Sequence, residues 1–267
     1  MSLKDILINK APTSHDLVLI GGGHAQISVL KKFGMNPIPG LKISLINKNL
    51  TSSYSGMLPG YIAGTYNEED TQINLLNLCK YANARLIVDE VTGIDIYSKE
   101  IHLKNRVPVC YDTLSINTGG EPDIKKIKGA EKYSIPIKPI SNLIQNFHNI
   151  KKELKKIDKV SMTIVGGGAG GVEIALSLKK FLDLENKKEK NITLVSRTDN
   201  LIKNSPNSAH KNIISLLYKN NINIVLSDEV VEFKKNALIT KNGKRIKSQF
   251  NFLVTSISAP QWLSYTG

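Results

Sequence analysis

Long apolar runs are missing from this sequence. No stretch approaches the roughly 18 residues of a membrane-spanning helix, and the first residues lack the apolar core of a secretory signal. A cytoplasmic chain without a transmembrane segment is expected, with peripheral contact at a membrane surface left open. Cysteine is scarce: Cys79 and Cys110 are the only two, in LLNLCKYA and VPVCYDTL. Their separation fits neither a dithiol motif nor a metal-ligand spacing, which excludes a zinc ribbon or a CxxC redox centre, and no metal site is expected. Both are read as buried, inert thiols rather than as redox groups. Acid is also scarce, with 23 Asp and Glu against 36 Lys and Arg and a net charge of +13. The lysines are scattered, and even the densest groups, KKELKKIDK and ENKKEKN, lack the interleaved aromatics of a single-strand binder. A solvated basic surface is expected, and no nucleic acid partner. What is present, 41% hydrophobic and 22% charged residues in a chain of 267, is globular and long enough for two domains.

An internal repeat organises the chain. HDLVLIGGGHAQISVL (15–30) and SMTIVGGGAGGVEIAL (161–176) each carry an apolar strand-like run, three glycines and a helix-forming stretch. Each is followed by a second strand-like run, LKISLIN (41–47) or NITLVSR (191–197), which completes a βαβ unit. Each copy ends on an apolar strand entering a small-residue turn and a proline, YDTLSINTGGEP and FNFLVTSISAP. Between these landmarks, residues 86–114 and 223–246 alternate in the manner of antiparallel meanders, the second with an Asn242-Gly243 turn. Residues 138–156 read as an amphipathic helix joining the halves. The expected fold is α/β: two Rossmann-like domains, each with a parallel sheet and a β-meander, spanning residues 1–136 and 137–267.

Gly166, Gly168 and Gly171, with Ala169 and Gly170 between the last two, fit GxGxxG directly after a strand and opening a helix. That pattern supplies a tight turn, close backbone approach to a diphosphate, and close packing of helix on strand. The diphosphate then meets the unpaired N–H groups and positive dipole end of the helix. The first copy keeps Gly21, Gly22 and Gly23 but has Gln26 at the third glycine position. His24, Ala25 and Gln26 stand at its helix mouth. His24 and Gln26 are either donors to phosphate or ribose, or solvated cap residues. Neither second strand ends in the acidic residue that would bind a free ribose 2′-hydroxyl. Asn47 and Lys48 stand there in the first copy, Ser196 and Arg197 in the second. Arg197 is either placed for a 2′-phosphate, favouring NADPH, or a surface arginine beside Asp199.

These segments resemble the pyridine-nucleotide, two-dinucleotide-binding flavoproteins, in which the first unit holds FAD and the second NAD(P)H. Thr118-Gly119 and Thr255-Ser256 stand where that family has its crossover turns. The stretches GGGHAQISVLKKFGMNPIPG, SSYSGMLPGYIAGTY, IPIKPI and VGGGAGGVEIAL are further similar to an NADH-dehydrogenase-like module at the N-terminus of some selenide, water dikinases. The kinase domain of those proteins has no counterpart here. The resemblance implies that Tyr54, Ser55, Met57 and Pro59 line the flavin, the alternative being a plain Gly/Pro-rich turn, and that Glu173 lines the nicotinamide pocket. Disulfide-reducing members carry a CxxxxC pair where this chain reads TSSYSGMLPG, so disulfide reduction is not expected. The family continues into a Gly-Asp motif and a closing strand. This sequence ends at Gly267 before such a motif, so a fragment of a longer protein or a shortened relative is expected.

The expectation is therefore an FAD-dependent NAD(P)H oxidoreductase passing electrons to a quinone or a selenium or sulfur species, with a homodimer left open. No catalytic side chain is singled out, since hydride transfer between cofactors needs positioning rather than a protein nucleophile. The rival expectation is a nucleotide-binding or regulatory module without turnover.

Overall fold

A computed structural model describes residues 12, 15–122, 124–255 and 257–266; Ser256 and Gly267 lie outside them. The chain forms two compact units, one of Met1–Tyr54, Gln72–Gly120 and Ala259–Gly267, the other of Ser55–Thr71 and Glu121–Ser258. This division differs from a single cut near residue 136, and packing explains why. Leu58, Tyr61 and Ile62 share a core with Phe147 and Phe181, Ala130 packs with Phe233, and Trp262 packs on the apolar cluster of the first unit.

In the first unit the run HDLVLI forms β1 (His15–Ile20), followed by α1 (His24–Met35) and β2 (Leu41–Asn47). Next come α2 (Leu75–Tyr81), β3 (Arg85–Val88), a meander of β4 (Val91–Asp95), β5 (Glu100–Leu103) and β6 (Val109–Cys110), and finally β7 (Thr113–Ile116). β3, β2, β1 and β7 pair in that order, all parallel. Alternation along the strands sorts their side chains to two faces. Val18, Ile20, Ile46 and Ile87 pack with Val91, Ile94 and Ile101 of the meander; Leu19, Ile43 and Leu45 pack with Leu30 of α1 and Leu75 and Cys79 of α2. Residues 86–114 are thus not one meander, because both ends of that run join the parallel sheet. Asp89 marks the switch, accepting hydrogen bonds from Asn105 N (3.2 Å) and Nδ2 (3.0 Å). Burial of the Asp89 carboxyl acts upward on its pKa, but the Glu90 N–H at 2.7 Å, the two Asn105 donors and the Arg106 charge together outweigh it and hold the group below its ordinary value.

Cys79 is buried, and burial pushes its thiol up to about 11, too high for a thiolate at neutral pH. Cys110 is exposed, contrary to expectation. On the two-residue strand β6 the partly buried Val109 faces the cluster, so the next side chain turns outward.

The second unit repeats the plan. Its elements are β8 (Ile135–Pro136), α3 (Ile140–Leu154), β9 (Lys159–Val165), α4 (Ala169–Leu184), β10 (Glu189–Val195), α5 (Asn207–Lys219) and β11 (Ile222–Val225). A meander of β12 (Val230–Lys234), β13 (Ala237–Thr240) and β14 (Arg245–Lys247) leads to β15 (Phe250–Leu253). The parallel sheet runs β8, β15, β9, β10, β11. β15 pairs with β9 at Val165 and Leu253 as β7 pairs with β1 at Ile20 and Ile116, so the repeat read in sequence is a repeat of strand order. α3 buries Leu143, Ile144, Phe147, Ile150 and Leu154 along one stripe. Gly243 closes the β13–β14 turn at φ +80°, as the Asn-Gly signal implied.

Candidate functional site: two glycine turns

Both glycine clusters lie at strand-to-helix junctions and are built alike. Gly21 N–H donates to Ile46 at 2.8 Å and Gly166 N–H to Val195 at 2.9 Å, tying each turn to the neighbouring strand. Both take left-handed backbone, φ +87° and +135°. An ideal Cβ on Gly166 would lie 2.7 Å from the carbonyl carbon of Val254, and one on Gly21 would lie 2.8 Å from that of Asn117. The third-glycine argument holds in the second unit: a Cβ on Gly171 would overlap the Gly166 carbonyl oxygen, so α4 can pack this closely on its turn only without a side chain there.

In the second unit Gly168 caps α4 with extended backbone and no side-chain hydrogen bond, and no acidic residue occupies the first helical turn. Nothing lies within 4 Å of an ideal Cβ on Gly168, so the helix mouth is open. Gly168 and Ala169 are exposed, Gly170 half-buried beside Val254. The N–H groups of Ala169, Gly170 and Gly171 have no partner among the described residues. Open space and unpaired donors at a dipole's positive end make a fitting cradle for a diphosphate.

At the end of β10 the Ser196 hydroxyl is buried, 3.0 Å from Thr198 Oγ1, and lies against Gly167. Arg197 is exposed and forms no ion pair among the described residues, Asp199 included. Ile202 N–H donates to the Gly167 carbonyl at 2.8 Å, which draws the 201–204 turn onto the glycine turn. That hydrogen bond brings Lys203, exposed and without an ion pair among the described residues, to the same end of the sheet as Arg197. Sequence reasoning missed Lys203, a lone lysine in an irregular loop with nothing to show that the loop folds back. Glu173 is exposed on α4, four residues past the turn, and its carbonyl accepts from Ser177 Oγ at 2.8 Å.

The first turn differs at three places. Gln26 is fully buried and faces away from the mouth. Its Nε2 donates to both the carbonyl and the hydroxyl of Ser115 on β7, each at 3.0 Å. It is a brace between α1 and β7, neither a mouth donor nor a solvated cap residue. Gln26→Leu is expected to lower stability by about 1–3 kcal/mol, read as a shifted urea midpoint at unchanged slope. Asn47 is likewise turned to structure, its Oδ1 accepting Gly22 N–H at 2.9 Å and its Nδ2 donating to the Asn49 carbonyl at 2.8 Å. Lys48 pairs with Glu90 at 2.8 Å, and that hydrogen bond is the main reason the Glu90 carboxyl sits below its usual pKa.

At the mouth itself Gly23 caps α1 without a side-chain hydrogen bond, and the N–H groups of His24, Ala25 and Gln26 are unpaired among the described residues. His24 and Ala25 are exposed, and the His24 ring packs against that of Tyr54 at a tilt of 52°, centroids 4.5 Å apart. Thr118 and Gly119 are exposed, and Gly119 has open space around its Cα. The turn therefore fits a dinucleotide by its uncapped helix end. The segment after Tyr54 is not a plain turn. Ser55–Met57 form a 3₁₀ turn leading into a short helix, Leu58–Ile62, with Pro59 in its first turn. By compactness Tyr54 belongs with the first unit, and Ser55, Met57 and Pro59 with the second. No group of three or more potential metal-ligating side chains occurs among the described residues, and none of their helices is long and apolar enough to cross a membrane.

Two parallel sheets, each with a glycine turn feeding an uncapped helix, define a tandem dinucleotide-binding α/β protein. Residues 15–258 match the family model described as pyridine nucleotide-disulphide oxidoreductase, and the chain belongs to that family. It is 26% identical over 212 residues to the NADH dehydrogenase-like protein YutJ of Bacillus subtilis, covering 78% of this chain and 56% of that protein. It is 28% identical over 182 residues to a type II NADH:quinone oxidoreductase of Staphylococcus haemolyticus, covering 64% and 45%. Among solved structures, NDH2 from Plasmodium falciparum in complex with NADH superposes with a TM-score of 0.82 at 19% identity, covering 92% of this chain and 56% of that one. The chain thus spans about half the length of the relatives it matches.

Proposed function

We propose that this chain is the dinucleotide-binding part of a cytoplasmic FAD-dependent NAD(P)H oxidoreductase that passes electrons to a small acceptor such as a quinone. The observation that carries the reading is the pair of uncapped helix mouths behind left-handed glycine turns, in a chain of this family. The first unit is assigned to FAD and the second to NAD(P)H. When bound, NAD(P)H supplies a hydride and FAD accepts it and releases electrons to the acceptor. Gly21, Gly22 and Gly23 set the backbone of the first mouth; His24 and Ala25 offer their N–H groups, and the tilted His24–Tyr54 ring pair flanks it. Gly166, Gly168 and Gly171 do the same for the second, with Ala169 and Gly170 as donors. Arg197 and Lys203 supply two cations, without ion pairs among the described residues, where a ribose 2′-phosphate would lie, and Ser196 rather than an acid follows β10, so NADPH is the favoured donor.

The name of the Staphylococcus haemolyticus relative, an NADH:quinone oxidoreductase, supports a quinone acceptor, and the absence of cysteine between Thr51 and Gly60 supports the exclusion of disulfide reduction. The similarity to the module of selenide, water dikinases makes a selenium or sulfur species the second candidate acceptor. An anaerobic titration of the purified protein tests the reading. Flavin absorbance bleached stoichiometrically by NADPH is expected. A colourless protein that binds NADPH and takes up no added FAD would make it a binding module without turnover.

A further inference from the structure

We propose that the first unit carries a site for a single-chain carboxylate, its tail in a groove beside β3 and its head held by Arg85 and Arg106. The site uses none of the residues of the glycine turns, and it goes beyond the oxidoreductase reading without depending on it. β3 is the outer strand of the first sheet and pairs with β2 alone. Alternation puts Arg85 and Ile87 on one face of it, and Ile87 packs with Leu103 and Val109 of the meander. Between strand and meander lies a groove of about 260 Å³. Its buried and half-buried lining is wholly apolar: Leu86, Ile87, Leu103 and Val109. Its exposed lining is Arg85, Arg106 and Val107.

These groups select the ligand. Val107 is 81% exposed, so a branched apolar side chain faces water beside an apolar floor. Arg85 forms no ion pair among the described residues. Arg106 Nε lies 3.8 Å from Asp89 Oδ2, but that carboxylate already accepts from Glu90 N–H and from Asn105 N and Nδ2. The Nη groups of Arg106 have no hydrogen-bond partner among the described residues. A floor without polar groups takes a hydrocarbon body, and two guanidiniums at the rim take an anionic head. A planar carboxylate meets a guanidinium edge to edge. The space is at the small end of ligand pockets and admits one chain, not two.

The repeat supplies the internal control. Both meander hairpins start alike: Lys104 N–H donates to Glu90 and Asn105 N–H to Asp89, as Lys241 does to Glu229 and Asn242 to Asp228. The copies then part. Arg106, Val107 and Pro108 stand where the second unit turns back on Gly243 and Lys244. Ile46 pairs with Ile87 as Val195 pairs with Val225, so Asn223 is the counterpart of Arg85. Its amide is spent on Asn191 Oδ1 at 2.6 Å. Neither guanidinium, nor the apolar wall between them, is a requirement of the shared fold.

Calorimetric titration of the full chain with decanoate, and with decanol as its uncharged analogue, tests the site. One decanoate per chain is expected, with a dissociation constant on the order of 0.1 mM. Affinity should rise about two- to fourfold per methylene from hexanoate to decanoate. Arg85→Gln and Arg106→Gln should each weaken decanoate about tenfold and leave decanol unchanged. Val107→Asp sets a charge against the chain and should weaken both ligands. All three side chains are exposed, so the thermal midpoint is expected to stay at the wild-type value. A chain that takes up no FAD would sink the flavin assignment and leave this result standing. Heats that never saturate, an affinity indifferent to chain length, or wild-type decanoate binding in both arginine variants would overturn the proposal.

Discussion

Arg197→Glu is expected to cost the protein about a hundredfold or more in NADPH affinity and to turn its preference toward NADH. Arg197 leaves the end of β10 exposed and without an ion pair among the described residues, so its guanidinium is available for a bidentate contact with a 2′-phosphate. A charge-assisted hydrogen bond of this kind contributes about 1.5–3 kcal/mol, or roughly ten- to a hundredfold in affinity. Glutamate removes that attraction, repels the phosphate and offers an acceptor to a free ribose hydroxyl. Lys203→Ala should act in the same direction but by only a few fold, since an ammonium on a flexible stem acts as a point charge. The check is a pair of dissociation constants, NADPH and NADH, for wild type and both variants. A wild type that binds NADH more tightly, or an Arg197→Glu chain with the wild-type ratio, contradicts the assignment of this corner to the 2′-phosphate.

Gly166→Ala is expected to destabilise the second unit strongly, by strain and by collision together. At φ +135° an L side chain is strained, and the added carbon would also meet the Val254 carbonyl at 2.7 Å, a backbone group that cannot swing aside. The expected loss is about 3–5 kcal/mol of stability, together with most of the NADPH affinity, because relief requires the turn to move off β15. Gly243→Ala is the matching control: the same left-handed region at φ +80°, but nothing within 4 Å of the new methyl. It should cost only about 1 kcal/mol. Paired urea unfolding curves separate the two effects. Equal losses would mean that Gly166 is chosen for backbone conformation alone, not for its approach to the crossover strand.

The parallel frame was legible because apolar runs, glycine clusters and second strands recur at matched spacing, and local periodicity decides such elements. Where the meanders begin was not legible, since a buried parallel strand such as Arg85–Val88 and the adjoining antiparallel one are equally rich in Ile and Val. The loop at 55–71 escaped for another reason. Its apolar residues Leu58, Tyr61 and Ile62 are buried against α3 and α4, whose Phe147 and Phe181 lie 86 and 120 positions beyond Tyr61. Cys110 was misread because a two-residue edge strand offers no period from which to tell in from out.

At the site, sequence spacing located the turns but not where their polar side chains point. Gln26 and Asn47 stand where ligand donors belong, and both are spent on bracing the turn, on Ser115 and Gly22. The motif that replaced the third glycine by glutamine thereby gained a tie to β7. Lys203 becomes relevant only through the hydrogen bond from Ile202 to Gly167.

Isothermal titration of the chain with FAD and then with NADPH tests the central claim most directly, because it counts the dinucleotides that two separate glycine turns can hold. One FAD and one NADPH per chain, bound without competition, with only the NADPH step lost in Gly166→Ala, is the expected result. A single site for which FAD and NADPH compete, or no uptake of either, would contradict it.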